Sequence, residues 1–397
     1  MGAYMKKVRI GLIGRIVIAM VAGGVLGAWM PEWGVRGFVT FNGLFSQYLG
    51  FLIPLLIVGL VAPAIAEMGR GAGKMLLMTM ALAYAATIVS GLASYGVSVG
   101  LFPGLIEPES FSGAAEKGAE LKPYFSVAVP PLMEVMTALV FAFMLGLGMA
   151  CIPGDALRNV CRDFRQIVGK TIERTIIPLL PLFIFGIVLG MSYTGQAWAV
   201  LSVFIKIIGV IFVLHVAVLV LQYTVAGVVV RKNPFVLLWG MLPAYVTALG
   251  TQSSAATIPV TLRQAQHIGV RPEVAGFVVP LCATIHLSGS TLKIVACAIA
   301  IMLMQGTPVA FGPMVGFILM LGVVMVAAPG VPGGAIMAAL GVLQSMLGFG
   351  EAELALMIAL YITMDNFGTA CNVTGDGALA LIINRFAGTT LPPQEEA

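Results

Sequence analysis

Runs of about 20 apolar residues, each long enough to cross a bilayer, follow one another along nearly all of this 397-residue chain. That repetition restricts the fold more than any single motif does. In hydrocarbon each backbone N–H and C=O must be satisfied internally, which leaves only helices or closed barrels. Barrel strands need only about 10 residues, so runs of this length predict helices. Hydrophobic residues make up 59% of the chain and charged residues 10%, where a soluble domain carries roughly a quarter charged residues. The net charge of +4 comes from the loops and argues against nucleic-acid binding. The first run, about Ile10 to Trp29, has no small-residue cleavage site that stands out, and reads as a mature span, not a removed signal peptide. Five cysteines without CxxC or metal-like spacing read as small buried residues.

Orientation follows from Lys and Arg in short loops. Lys6, Lys7, Arg9 and Arg15 place the N-terminus in the cytoplasm, and the basic break from Glu67 to Lys74 returns there after a second long apolar run. A third span ends near Phe102. The polar stretch Pro103 to Tyr124, with four glutamates, Lys117 and Lys122, is expected outside. A fourth span, interrupted near Pro130 and Pro131, ends about Cys151. A basic loop with Arg158, Arg162, Arg165, Lys170 and Arg174 then lies inside. Spans five and six follow at roughly Ile176–Met191 and Trp198–Val230, with Lys206 snorkelling near the external interface. Glu134 in span four reads the same way or as an intramembrane group.

Past Asn233 the pattern changes. The apolar stretch from Asn233 to His267 is broken at Thr251–Thr257 and is basic at both ends, which predicts a re-entrant hairpin from the cytoplasmic side. The next span is interrupted at His286–Ser290. Pro308–Phe349 is broken by a Pro/Gly cluster around Val331 and predicts a second hairpin entering from outside. The last span, about Leu354 to Ile383, carries Asp365, Thr369, Asn372 and Asp376 at steps of four, three and four, one polar stripe on a helix. Carboxylates at membrane depth need partners and by default mark an ion or substrate path. Broken segments at corresponding places in two halves are the strongest pointer to a transport site. No Walker A, Rossmann or HExxH pattern and no nucleophile–base pair is visible, so an enzyme is not expected and transport must run on an ion gradient or by exchange.

The segments QSSAATIPV, VPLCATIHLSGS, GVPGGA and NVTGD, in that order, resemble the dicarboxylate/amino acid:cation symporter family, to which the glutamate transporters belong. The resemblance covers essentially the whole chain. It implies an all-α integral membrane protein with eight spans and two re-entrant hairpins in inverted repeats, working as an elevator and assembled as a homotrimer; the compact external loop points to a cell inner membrane. Both termini would be cytoplasmic. Residues 1–74 and 128–193 would form the scaffold (spans one, two, four and five), with 103–127 an external loop. Residues 75–102 and 194–390 would form the mobile part, with hairpins at about 233–268 and 308–349, span seven at 271–306 and span eight at 353–386.

The resemblance also places substrate contacts on Ser253, Ser254, Ser290, Val331, Gly334, Asp365, Gly368, Thr369 and Asn372. Asp365 would receive a substrate ammonium and Asn372 its carboxylate. Asp376 and Asn372, with backbone oxygens near Cys282 and His286, would hold Na⁺. For the hairpin serines and glycines, turn chemistry alone is the other reading.

Two departures from that pattern matter. Gly368 stands where acidic-substrate members carry arginine, and Gln252 occupies the alternative arginine site, so no arginine is expected to pair a second substrate carboxylate. His286-Leu287-Ser288-Gly289-Ser290 replaces Asn-Met-Asp-Gly-Thr, and Lys293 replaces a tyrosine. Together with Thr87 and Ile88 on span three, this predicts loss of one sodium site. The expected function is Na⁺-coupled import of a small neutral amino acid. The alternatives are proton-coupled or sodium-independent transport or exchange of an amino acid or carboxylate through His286, Ser288 and Lys293, or an anion channel. In the plainer reading Lys293 faces water or pairs with a carboxylate such as Asp376, and His286 only donates to backbone carbonyls.

Overall fold

The computed structural model describes residues 12–69, 74–106, 121–195, 197–326, 328 and 333–387. Lys6, Lys7, Arg9, most of the external loop and Val331 lie outside them. Every long regular element among the described residues is a helix. The first part of the chain holds α1 (Leu12–Gly27), α2 (Glu32–Gly69), α3 (Lys74–Leu101), α4 (Val135–Cys151), α5 (Ala156–Thr171), α6 (Ile177–Tyr193) and α7 (Ala197–Val230). The second part is made of shorter pieces. These are α8 (Pro234–Gly240), α9 (Leu242–Thr251), α10 (Ser254–His267), α11 (Pro272–Ile285), α12 (Ser288–Met304), α13 (Phe311–Val326), α14 (Gly334–Leu347), α15 (Glu351–Thr363) and α16 (Asp365–Phe386).

Among the described residues five helices are long and apolar enough to cross a membrane, or up to seven if each bent pair is one span. The first and fourth expected spans contribute described helices of 16 and 17 residues, short of the roughly 20 that a bilayer needs. The fourth starts only at Val135, after Glu134 in an extended conformation. The last expected span is two helices bent by 62° at Met364. The seventh is interrupted only at His286 and Leu287, which take non-helical backbone angles. Its polar residues Ser288, Gly289 and Ser290 already belong to α12.

The basic segment expected as a loop is helical. Leu157, Val160, Cys161, Phe164 and Val168 recur at helical spacing between its arginines, so it forms the amphipathic helix α5. It continues through a π turn, Ile172–Ile176, into α6 as one 38-residue helix. Val168, Ile172, Ile176, Leu180 and Ile184 are buried along it, stepping by four throughout.

Helices α1, α2, α4, α5 and α6 pack against one another, while α3, α7, α9, α10, α11 and α12 gather around α16. The α11–α12 span is the most enclosed, with 94% of its apolar window buried. The α1–α6 contact depends on glycine. A Cβ on Gly23 would lie 2.8 Å from the Phe185 carbonyl oxygen, whereas one on Gly24 would meet nothing nearer than 4.0 Å. Gly23→Val is therefore expected to destabilise the detergent-solubilised protein by about 1–3 kcal/mol, read as a lowered unfolding midpoint, and Gly24→Val to leave that midpoint nearly unchanged.

Candidate functional site

The break between α11 and α12 leaves the first N–H groups of α12 without carbonyl partners inside their own helix. In buried surroundings they need an acceptor, and α16 supplies one. Gly289 N–H and Ser290 N–H donate to Asn372 Oδ1 at 2.8 and 3.3 Å. Asn372 Nδ2 donates to Ser290 Oγ at 3.1 Å, and Tyr361 O–H reaches the same oxygen at 2.9 Å. From α7, His215 Nε2 lies 3.1 Å from the Gly289 carbonyl.

One turn into α12, Lys293 is fully buried. Its ammonium donates to Asp365 Oδ1 at 2.9 Å and to the Met364 carbonyl at 3.4 Å, and lies 3.5 Å from the centre of the Tyr361 ring. Ion pair and ring face together offset the desolvation of the charge. The second carboxylate oxygen of Asp365 accepts from Gly333 N–H at 2.7 Å. Gly333 sits at the head of α14 with φ +74°, a left-handed conformation that glycine tolerates best. Gly368 has a related steric role. A Cβ there would lie 2.6 Å from the Lys293 nitrogen, so the missing side chain makes room for the lysine.

At the other end of the break, His286 Nδ1 lies 2.9 Å from Asp376 Oδ1, with both side chains buried. An ionised carboxylate only accepts, so Nδ1–H is the donor. The far ring nitrogen faces Gln222 Nε2 at 3.4 Å, and that amide also donates to Ser288 Oγ at 3.2 Å. Gly375 permits this contact, since a Cβ there would meet the Gln222 amide oxygen at 2.5 Å. Ser253 and Ser254 belong to the α9–α10 segment, and both of those helices pack on α16. Ser253 caps α10 by accepting from Ala256 N–H at 3.3 Å, and Ser254 is buried. Thr369 and Gly334 are also buried. The Cys282 carbonyl accepts the His286 N–H.

A model of the sodium:dicarboxylate symporter family matches residues 12–386. The chain belongs to that family. It is similar to serine/threonine transporters SstT of Acinetobacter baumannii, one 26% identical over 386 residues, 93% of this chain and 95% of that one, and another 27% identical over the same span. It is also 28% identical over 265 residues to an excitatory amino acid transporter of Caenorhabditis elegans, covering 65% of this chain and 52% of that protein. The chain thus spans about half the length of that relative. As a member of this symporter family, built largely of apolar helices, it is a multi-pass membrane transport protein and not an enzyme.

Against that family background several sequence expectations change. Asp365, expected to meet a substrate ammonium, meets the ammonium of Lys293. Lys293 does not face water but pairs with a carboxylate, and that carboxylate is Asp365. His286 does more than bond carbonyls, because it takes Asp376. The space at Gly368 assigned to substrate is filled by the Lys293 side chain from α12.

Gln222, His215 and Tyr361 were missed as site residues. The signal for Gln222 and His215 was present, as polar side chains inside the apolar run of α7 seven residues apart, close to two helical turns. Lys293→Met is expected to destabilise the protein by about 3–5 kcal/mol by stranding a buried carboxylate. The double variant Lys293→Met/Asp365→Asn should recover most of that loss in a denaturation midpoint.

Proposed function

We propose that this chain is an elevator-type secondary transporter carrying a small carboxylate-bearing solute. Its site is formed by the ends of the two hairpins, the α11–α12 break and the stripe of α16. The observation that carries the reading is the break at His286–Leu287 in the most enclosed span, facing Asp365, Asn372 and Asp376. Irregular backbone at membrane depth is tolerated where it is buried in protein or lines a path. The packing of α1, α2, α4, α5 and α6 as one group supports a scaffold of residues 1–74 and 128–193, with the remainder as the moving part. Homotrimeric assembly, an inner-membrane location and cytoplasmic termini belong to the same reading.

For coupling, the contact between His286 and Asp376 favours transport without Na⁺ at that carboxylate, driven by protons or by exchange. The imidazole lies at ordinary hydrogen-bond distance from Asp376 Oδ1, 2.9 Å, and Asn372 Oδ1 already accepts two N–H groups. A cation ligated there would sit beside the imidazole and would compete with the two N–H groups for Asn372 Oδ1. The second reading, Na⁺-coupled import of a small neutral amino acid, is supported by similarity over 93% of the chain to proteins named serine/threonine transporters.

The test is uptake of labelled amino acids and carboxylates into proteoliposomes under a Na⁺ gradient, a proton gradient, or neither with counter-substrate inside. Uptake indifferent to Na⁺ is the expected result. Strict Na⁺ dependence would return Asp376 and Asn372 to ion binding, and no uptake of any solute would overturn the transport site itself. Asn372→Ala, in protein that still purifies as a monodisperse species, should lower uptake more than tenfold.

A further inference from the structure

We infer that Lys293 is the specificity-determining residue of this site. Its ammonium occupies the place on Asp365 that a substrate ammonium would need, and so selects carboxylates that carry no amino group. The inference rests on the reading of this region as the transport site and goes beyond it by naming the substrate class.

Three observations converge on it. Both oxygens of Asp365 already accept hydrogen bonds from the chain, Oδ1 from Lys293 and Oδ2 from Gly333 N–H. The lysine is a built part of the site: Gly368 lacks the atoms that would collide with it, and the Tyr361 ring covers it. Tyr361 in turn bonds Ser290 Oγ, which also accepts from Asn372. The lysine is therefore held by the same network that closes the α12 N-terminus.

The charge count then decides between solutes. Lys293 and Asp365 form a neutral pair. A zwitterionic amino acid would bring a second ammonium beside the first and must either displace Lys293 from Asp365 or sit next to a like charge at low dielectric. A carboxylate without an amino group asks nothing of Asp365. An ammonium has three donors, of which two point to Asp365 Oδ1 and the Met364 carbonyl. An anion entering beside them gains attraction to Lys293 while the existing pair stays intact. A hydroxyl or hydrogen in place of the amino group is thus the preferred feature at the substrate's α-carbon.

The test compares matched solutes on the full-length protein in proteoliposomes, as competitors of labelled L-lactate and, separately, of labelled L-serine: L-serine with L-glycerate, L-alanine with L-lactate, and L-aspartate with L-malate and succinate. The amino-free member of each set is expected to compete at least tenfold more strongly. Lys293→Gln, which releases Asp365, is expected to reverse the order, and Lys293→Arg, which keeps the charge, to preserve it. Stronger competition by the amino acids in the unmodified protein overturns the inference, and that comparison needs no variant to fold. An unchanged order in folded Lys293→Gln overturns it as well. If no solute of either class is taken up or competes, the transport-site reading fails first, an outcome distinct from an amino-acid preference.

Discussion

Interrupting a helix in a low-dielectric interior leaves polar groups that water cannot reach, and the arrangement around α16 follows from closing them internally. The break at His286–Leu287 opens the N-terminus of α12, and Asn372 closes it. The two carboxylates of α16 cannot remain unpaired at this depth, and each meets a basic side chain from the interrupted span. The pairs run in order. Asp365 faces Lys293, Asn372 faces Gly289 and Ser290, and Asp376 faces His286. As numbers rise along α16 they fall along the partner, so an antiparallel row of polar contacts fastens the two elements inside an apolar bundle.

This row explains why small residues recur on α16. Gly368 admits the lysine and Gly375 admits the Gln222–His286 contact. Leu287, the unwound residue between the polar positions, is itself buried, so the interruption sits within packed protein and not on a surface. Asp365 holds both Lys293 and the head of α14, so that helix start and the charge pair share a single carboxylate.

Much of this was legible in the sequence. The helical class, the interrupted α11–α12 span and the stripe on α16 all follow from hydropathy and from polar residues in apolar context. Pairing was not legible. Lys293 and Asp365 are 72 positions apart, and spacing alone leaves Asp365 and Asp376 as equal candidates for the lysine. Gly368 was misread for a physical reason: an absent side chain signals room, but only the packing says which neighbour occupies it. Residues 158–174 were misread because charge density in a short segment marks the side of the membrane and says nothing about whether the backbone is helical there. The kink at Met364 carries neither Pro nor Gly, so it left no mark in the residue types.

The π turn at the head of α6 has a consequence for helix phase. Each residue of an α-helix advances by about 100°, so positions four apart drift by about 40° per step. From Val168 to Ile184 the buried positions keep that four-residue step, and an unbroken α-helix would carry the last of them about 160° around from the first. A π turn absorbs one extra residue and takes back about 100° of that rotation. The side of the rod that meets α2 near Gly59 through Phe164 and Val168 therefore stays close to the side that buries Leu180 and Ile184. The additional residue in Ile172–Ile176 works as a phase correction, aiming an apolar membrane span with the buried stripe of an amphipathic helix that precedes it.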